Sequence, residues 1–112
     1  MDSTRQQKVS RLLQKEMAEM FQRELTHLFH GKMVTLTVVR ISPDLSVARV
    51  YLSIFPPAAR QETLDVINEN SVSIRHRLGQ RVRQQLRIVP ELHFFIDDSI
   101  DYYENIDNLL KK

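Results

Sequence analysis

The stretch RHRLGQRVRQQLR, Arg75 to Arg87, gathers five arginines and no acid in a chain whose net charge is only +2. A helix that needs only to be soluble usually mixes signs. Opposite charges four residues apart add about 0.2–0.5 kcal/mol, and like charges subtract a similar amount. Forgoing that stabilisation makes sense where a partner supplies the missing negative charge, and a guanidinium binds phosphate oxygens through a bidentate fork. Residue types alone leave two other readings open: a solvated helix face, or one neutralised by the acids that crowd residues 91 to 112.

Other chemistries have weaker support. In DDSIDYYE, Asp97, Asp98, Asp101 and Glu104 could hold Mg²⁺ for phosphodiester hydrolysis. They straddle a predicted strand end and helix start, however, where acids cap a helix and favour its positive pole. His27 and His30 lack a third ligand at fitting distance, and the chain has no cysteine. His76 and His93 have no recognisable triad partner, and Ser42, Ser46 and Ser53 sit in no nucleophile elbow. The only glycines, Gly31 and Gly79, are too far apart for a P-loop or a dinucleotide fingerprint. No catalytic residue, metal or cofactor is therefore expected. Tyr51, Phe94, Phe95, Tyr102 and Tyr103 could stack on bases, but strand aromatics beside a helix layer more often belong to the core, the reading preferred here.

The elements that must position the arginines follow from periodicity. Val9, Leu12, Leu13, Met17, Met20, Phe21, Leu25 and Leu28 recur at helical spacing, with Ser3 and Gln6 as a capping box and Gly31 as a stop. Arg5, Lys8, Arg11 and Lys15 occupy about a third of that helix's circumference as a second basic face. MVTLTVVRI and VARVYLSI read as strands, joined by SPDLS, where Pro43 presets a type I turn and Asp44 can bond the local backbone. After the stiff FPPAARQ connector, a short helix carries Leu64 and Ile67 inward. The next helix packs Ile74, Leu78, Val82 and Leu86 on the sheet and stops near Ile88, before Pro90. Arg77, Arg83 and Arg87 then point outward with Arg81 at their border, while Arg75 leans inward toward an expected acid at the core edge. ELHFFID alternates as a third strand, and SIDYYENIDNLLKK has the spacing of a C-terminal helix.

The result is an α+β domain of order α-β-β-α-α-β, helices on a three-stranded sheet. Its 112 residues, 42% hydrophobic and 27% charged, suit one globular domain over residues 1–112, with 99–112 as an extension. Without a membrane-length apolar run or a signal-peptide pattern, a cytoplasmic location is expected.

Several of these segments together resemble ribosome-binding factor A: RQQKVSRLLQKEMAEMF, ISPDLSVARVYLS, IRHRLGQRVRQQLRIVPELHFFIDDS and IDNLL. The resemblance implies a type II KH-like fold and a monomer that binds the small ribosomal subunit and its rRNA late in assembly. It also implies support for rRNA processing, with most importance in the cold. It makes Arg75, Arg77, Arg81, Arg83 and Arg87, with Lys8 and Arg11, the RNA-binding residues. The family's kink between helices, commonly Ala-x-Gly, falls on Asn70, Ser71 and Val72, and no GXXG loop exists. A general KH-like single-strand RNA binder is the alternative, and no membrane or small-molecule partner is implied.

Overall fold

A computed structural model describes residues 3–97. The C-terminal helix expectation, with Asp98, Asp101, Tyr102, Tyr103, Glu104 and Asp107, lies outside the described residues. Helix α1 (Thr4–Arg23) begins on the expected capping box. The Ser3 hydroxyl accepts from Gln6 N at 3.1 Å, and the Gln6 side chain accepts from Ser3 N at 2.9 Å. Gln6 also donates from its buried Nε2 to the Ile41 carbonyl at 3.0 Å, which pins the helix start to the end of a strand. Val9, Leu13, Met17, Met20 and Phe21 form its core face. The helix ends before Leu25 and Leu28: a 3₁₀ turn at Thr26–Leu28 follows, then His30 and Gly31 at φ 48 and 82 reverse the chain. Leu25 and Phe29 are buried beyond the α-helix, so the hydrophobic spacing outlasts the helical backbone.

Strands β1 (Met33–Ile41) and β2 (Val47–Phe55) pair antiparallel from Met33 against Phe55 to Ile41 against Ala48, with a register shift between Leu36 and Val38. At their turn, Leu45 N donates to the Ser42 carbonyl at 2.9 Å. The Asp44 carboxylate accepts from the hydroxyls of Ser42 and Ser46 at 2.7 Å each and from Ser46 N at 3.1 Å. These bonds, the Ser46 hydroxyl foremost and then that of Ser42, lower the Asp44 pKa to about 2. Strand β3 (Glu91–Ile96) runs parallel to β2, from Val47 beside Glu91 to Leu52 beside Ile96, giving the order β1-β2-β3. Parallel neighbours need a crossover, and helices α2 (Arg60–Glu69) and α3 (Ser71–Val82) supply it. One sheet face buries Val39, Ile41, Ala48, Val50, Leu52, Ile54, Leu92 and Phe94 under the helices. Each such large apolar side chain contributes roughly 1.5–3 kcal/mol when fully removed from water.

Asn70 alone separates α2 from α3, at φ −100 and ψ 12, not in the left-handed region its residue type would tolerate. Its side-chain amide donates to the Val66 carbonyl at 2.8 Å, closing the end of α2. Ile74, Leu78 and Val82 are buried as expected, but α3 stops at Val82 rather than near Ile88. Gln85 N and Leu86 N both donate to the Val82 carbonyl at 2.8 Å, a shared three-centre bond of the kind that closes a helix end. The chain must then reach the start of β3, where Glu91 N donates to Ser46 O at 2.9 Å, with Pro90 buried just before it. A helix running straight to Ile88 could not make that turn. Arg83 therefore caps α3, and Arg87 lies in the irregular segment after it.

Candidate nucleic-acid interface

The structure divides the arginines by what they touch. Arg81 is the most constrained: it donates to Glu16 at 2.9 Å, Glu19 at 2.9 Å and Glu24 at 2.7 Å. Partial burial opposes its charge, yet the hydrogen bond and charge of Glu16, followed by the charges of Glu24 and Glu19, raise its pKa. Arg81 thus joins α3 to the α1 segment, and its charge is used inside the molecule. Arg77 leans the same way, 3.2 Å from Glu24, with 44% of its side chain exposed. The acids that neutralise part of this helix, within the described residues, come from α1 and its end.

Among the described residues, Arg75 finds no acid at the core edge. Its Nε and Nη2 donate to the Val89 carbonyl at 3.2 and 2.6 Å. This bond satisfies a carbonyl in the turn before Pro90 and, among the described residues, leaves the positive charge without a carboxylate partner. Arg83 and Arg87 are exposed, and among the described residues no carboxylate pairs with either. Cations near a helix C-terminus gain about 0.3–1 kcal/mol from the macrodipole, which accounts for Arg81 and Arg83 in part but not for Arg87, which lies past the helix.

Two cavities organise this region. One, about 410 Å³, is lined by Val72, Arg75, His76, Gly79, Gln80, Arg83 and Val89, with no acid. Gly79 gives it an open wall: a Cβ there would meet only the Val89 side chain, at 3.5 Å. The other, about 450 Å³, brings Arg5 of α1 beside Arg87, with Val9, Leu86, Ile88 and Pro90 as an apolar floor and Asp44 at one side. Ile88 is 78% exposed there, in the irregular segment beyond α3 rather than at the helix end expected near it.

Lys8 and Arg11 are exposed on α1, but Arg5 is the α1 cation that shares a cavity with Arg87. At 100° per residue Arg5 and Glu16 fall about 20° apart on the helix, so both lie on its α3 side. That signal was readable only once Glu16 was known to face α3. Of the kink residues, Asn70 makes the break, Ser71 opens α3 and Val72 stands 81% exposed at the rim of the smaller cavity.

The acidic cluster enters the described residues through Asp97, which accepts the Thr37 hydroxyl at 2.6 Å. Among the described residues, no three His, Asp or Glu side chains come close enough to hold a metal ion together. The aromatic residues split. Phe94 is core, its ring 6.1 Å from that of Phe21. Tyr51 and Phe95 are not core: they stack at 5.6 Å on the sheet face opposite the helices, and Phe95 is 42% exposed.

A helix layer on a three-stranded sheet, with guanidiniums lacking carboxylate partners among the described residues around one helix end, defines a small α+β domain with a cationic edge. Ribosome-binding factor A is the family whose sequence model matches, over residues 5–110. Ribosome-binding factor A of Cytophaga hutchinsonii is 46% identical over 112 residues, covering 100% of this chain and 84% of that protein. The crystal structure of ribosome-binding factor A from Thermus thermophilus superposes with a TM-score of 0.68 at 24% identity, covering 81% of this chain and 94% of that one, a likeness of fold. A Thermus thermophilus homology model fitted into the cryo-EM map of a 30S complex gives a TM-score of 0.59 at 28% identity, covering 78% and 89%. The chain belongs to the ribosome-binding factor A family.

Proposed function

We propose that this chain is a non-catalytic assembly factor. It docks on the small (30S) ribosomal subunit late in maturation and supports processing of the 16S rRNA. Arg83, Arg87 and Arg75, joined by Arg5, take the phosphate contacts; Arg77, Lys8 and Arg11 lie at the margin, and Arg81 holds the scaffold. The observation that carries this reading is the gathering of guanidiniums without carboxylate partners, among the described residues, at the end of α3. The family and the 30S complex of its Thermus thermophilus relative supply the kind of polyanion.

The domain acts as a type II KH-like module in which Asn70 replaces the usual backbone-gripping loop, without a cofactor, as a cytoplasmic monomer. No helix among the described residues is long and apolar enough to cross a membrane. Its mechanism is occupancy. Binding favours one rRNA arrangement by the difference in affinity between arrangements, and the population of subunits shifts accordingly.

Co-sedimentation with purified small subunits tests the reading. The Arg83→Glu/Arg87→Glu double variant should leave the pellet while the chain stays folded, its unfolding midpoint lowered only slightly; undiminished co-sedimentation would overturn the assignment. Equal binding to full ribosomes and unrelated RNA would favour a general single-strand binder instead.

A further inference from the structure

The face of the sheet away from the helices carries two cross-strand rows. In the first, Arg40 of β1 stands directly opposite Arg49 of β2, and Arg49 is beside His93 of β3. In the next, Val38, Tyr51 and Phe95 are aligned the same way. Like charges placed opposite one another on adjacent strands destabilise a sheet. Arg40 and Arg49 are both exposed, and no ion pair to either is formed among the described residues. They line a cavity of about 430 Å³ with Ile41, Ser42, Pro43 and Val47, free of acids. Among the described residues, the acids on this face have neighbours of their own. Glu91 lies 3.3 Å from His93, and Asp97, which borders the aromatic row beside Val38, Arg40 and Tyr51, accepts from Thr37.

We propose that this face is a second RNA surface, a platform for a short single strand distinct from the arginine cluster of α3. The Arg40 and Arg49 pair holds one backbone phosphate, which removes the repulsion between them. The neighbouring base lies against the exposed ring of Phe95, which Tyr51 supports from behind by stacking. Successive same-face residues on a strand are about 6.6–6.8 Å apart, so the guanidinium row and the aromatic row are one such step from each other. Cationic grooves beside aromatic rings bind single strands in a sequence-tolerant way, because every base has a π face. The inference rests on the ribosomal RNA reading for its ligand class, but on different residues.

A Phe95→Trp variant of the full chain provides the probe, since an aromatic ring is retained and becomes strongly fluorescent in a protein with no other tryptophan. A short single-stranded RNA of mixed sequence should quench the indole emission in a saturable manner. Adding Arg40→Glu and Arg49→Glu should weaken the quenching about tenfold or more at low salt. Phe95→Ala in place of the reporter, followed by fluorescence anisotropy of labelled RNA, should weaken binding at least about fivefold. Arg83→Glu/Arg87→Glu, which tests the subunit-binding site, should leave the quenching in place. RNA binding without quenching, quenching indifferent to Arg40 and Arg49, or no binding at all would each overturn the platform while leaving the α3 assignment standing. Indole emission already blue-shifted and shielded from acrylamide in the free chain would mean that residues 98–112 or a second copy cover this face, and would also overturn it.

Discussion

Arg81 donates from Nε to Glu16 at 2.9 Å across 65 positions of sequence, so the last turn of the basic helix is fastened to the first helix of the chain. Glu19 and Glu24 complete its surroundings. Arg81→Gln should lower stability by about 1–2 kcal/mol, more than an exposed pair and less than a fully buried one. Urea denaturation checks this, and the loss should shrink in high salt because the three carboxylates left behind repel less strongly.

Charge reversal beyond the helix should behave in the opposite way. Arg83→Glu and Arg87→Glu break no ion pair among the described residues, so stability should fall only by the helix-end charge effect at Arg83, about 0.5–1 kcal/mol. With three to five phosphates neutralised, log affinity for small subunits should fall with log salt at a slope of roughly −2 to −4, and each arginine removed should flatten it by about 1. Arg81→Gln should leave that slope nearly unchanged.

Leu78 sits at 0% exposure where α3 meets the sheet. Leu78→Ala should cost about 2–5 kcal/mol, the transfer term plus the cavity left behind. Equilibrium denaturation measures it. A variant still folded at 25 °C should bind small subunits normally, because Leu78 positions arginines without touching a ligand.

The turn at Asp44 predicts an acid response. Its pKa is held at about 2 against 3.8 for a free side chain, so the unfolded state binds the proton first as pH falls. The stability this carboxylate contributes is present above about pH 4 and is lost toward about pH 2. Asp44→Ala should therefore unfold at lower urea than the parent at neutral pH, and the gap between the two midpoints should narrow through that window. A gap that stays constant from neutral pH down to the acid end would remove the carboxylate's role.

Much of this was legible in sequence because it is local. The Ser3 and Gln6 cap, the alternation of β2 and the stripe through Ile74, Leu78 and Val82 each lie within one element. The end of α3 was not legible, since Leu86 keeps the four-residue spacing and is partly buried even though the backbone has already left the helix. The fates of the arginines were hidden for a different reason. Whether Arg81 meets solvent or Glu16, and whether Arg87 meets Arg5, depends on how distant segments pack, and no spacing rule spans such separations. Tyr51 and Phe95 show the same limit: alternation separates them from Leu52 and Phe94, but it does not say which side the helices cover.

The parallel pairing of β2 with β3 has a consequence for how the molecule is made. The segment between them contains α2, α3 and the turn that carries Arg87, so the sheet cannot gain its third strand until that whole loop has closed. Such non-local pairing is the slow part of folding in small domains. During synthesis, the cations at the end of α3 acquire fixed positions only after β3 has emerged and docked, because Glu91 N holds one end of their turn against Ser46. A nascent chain stopped before Glu91 would carry the arginines but not their arrangement.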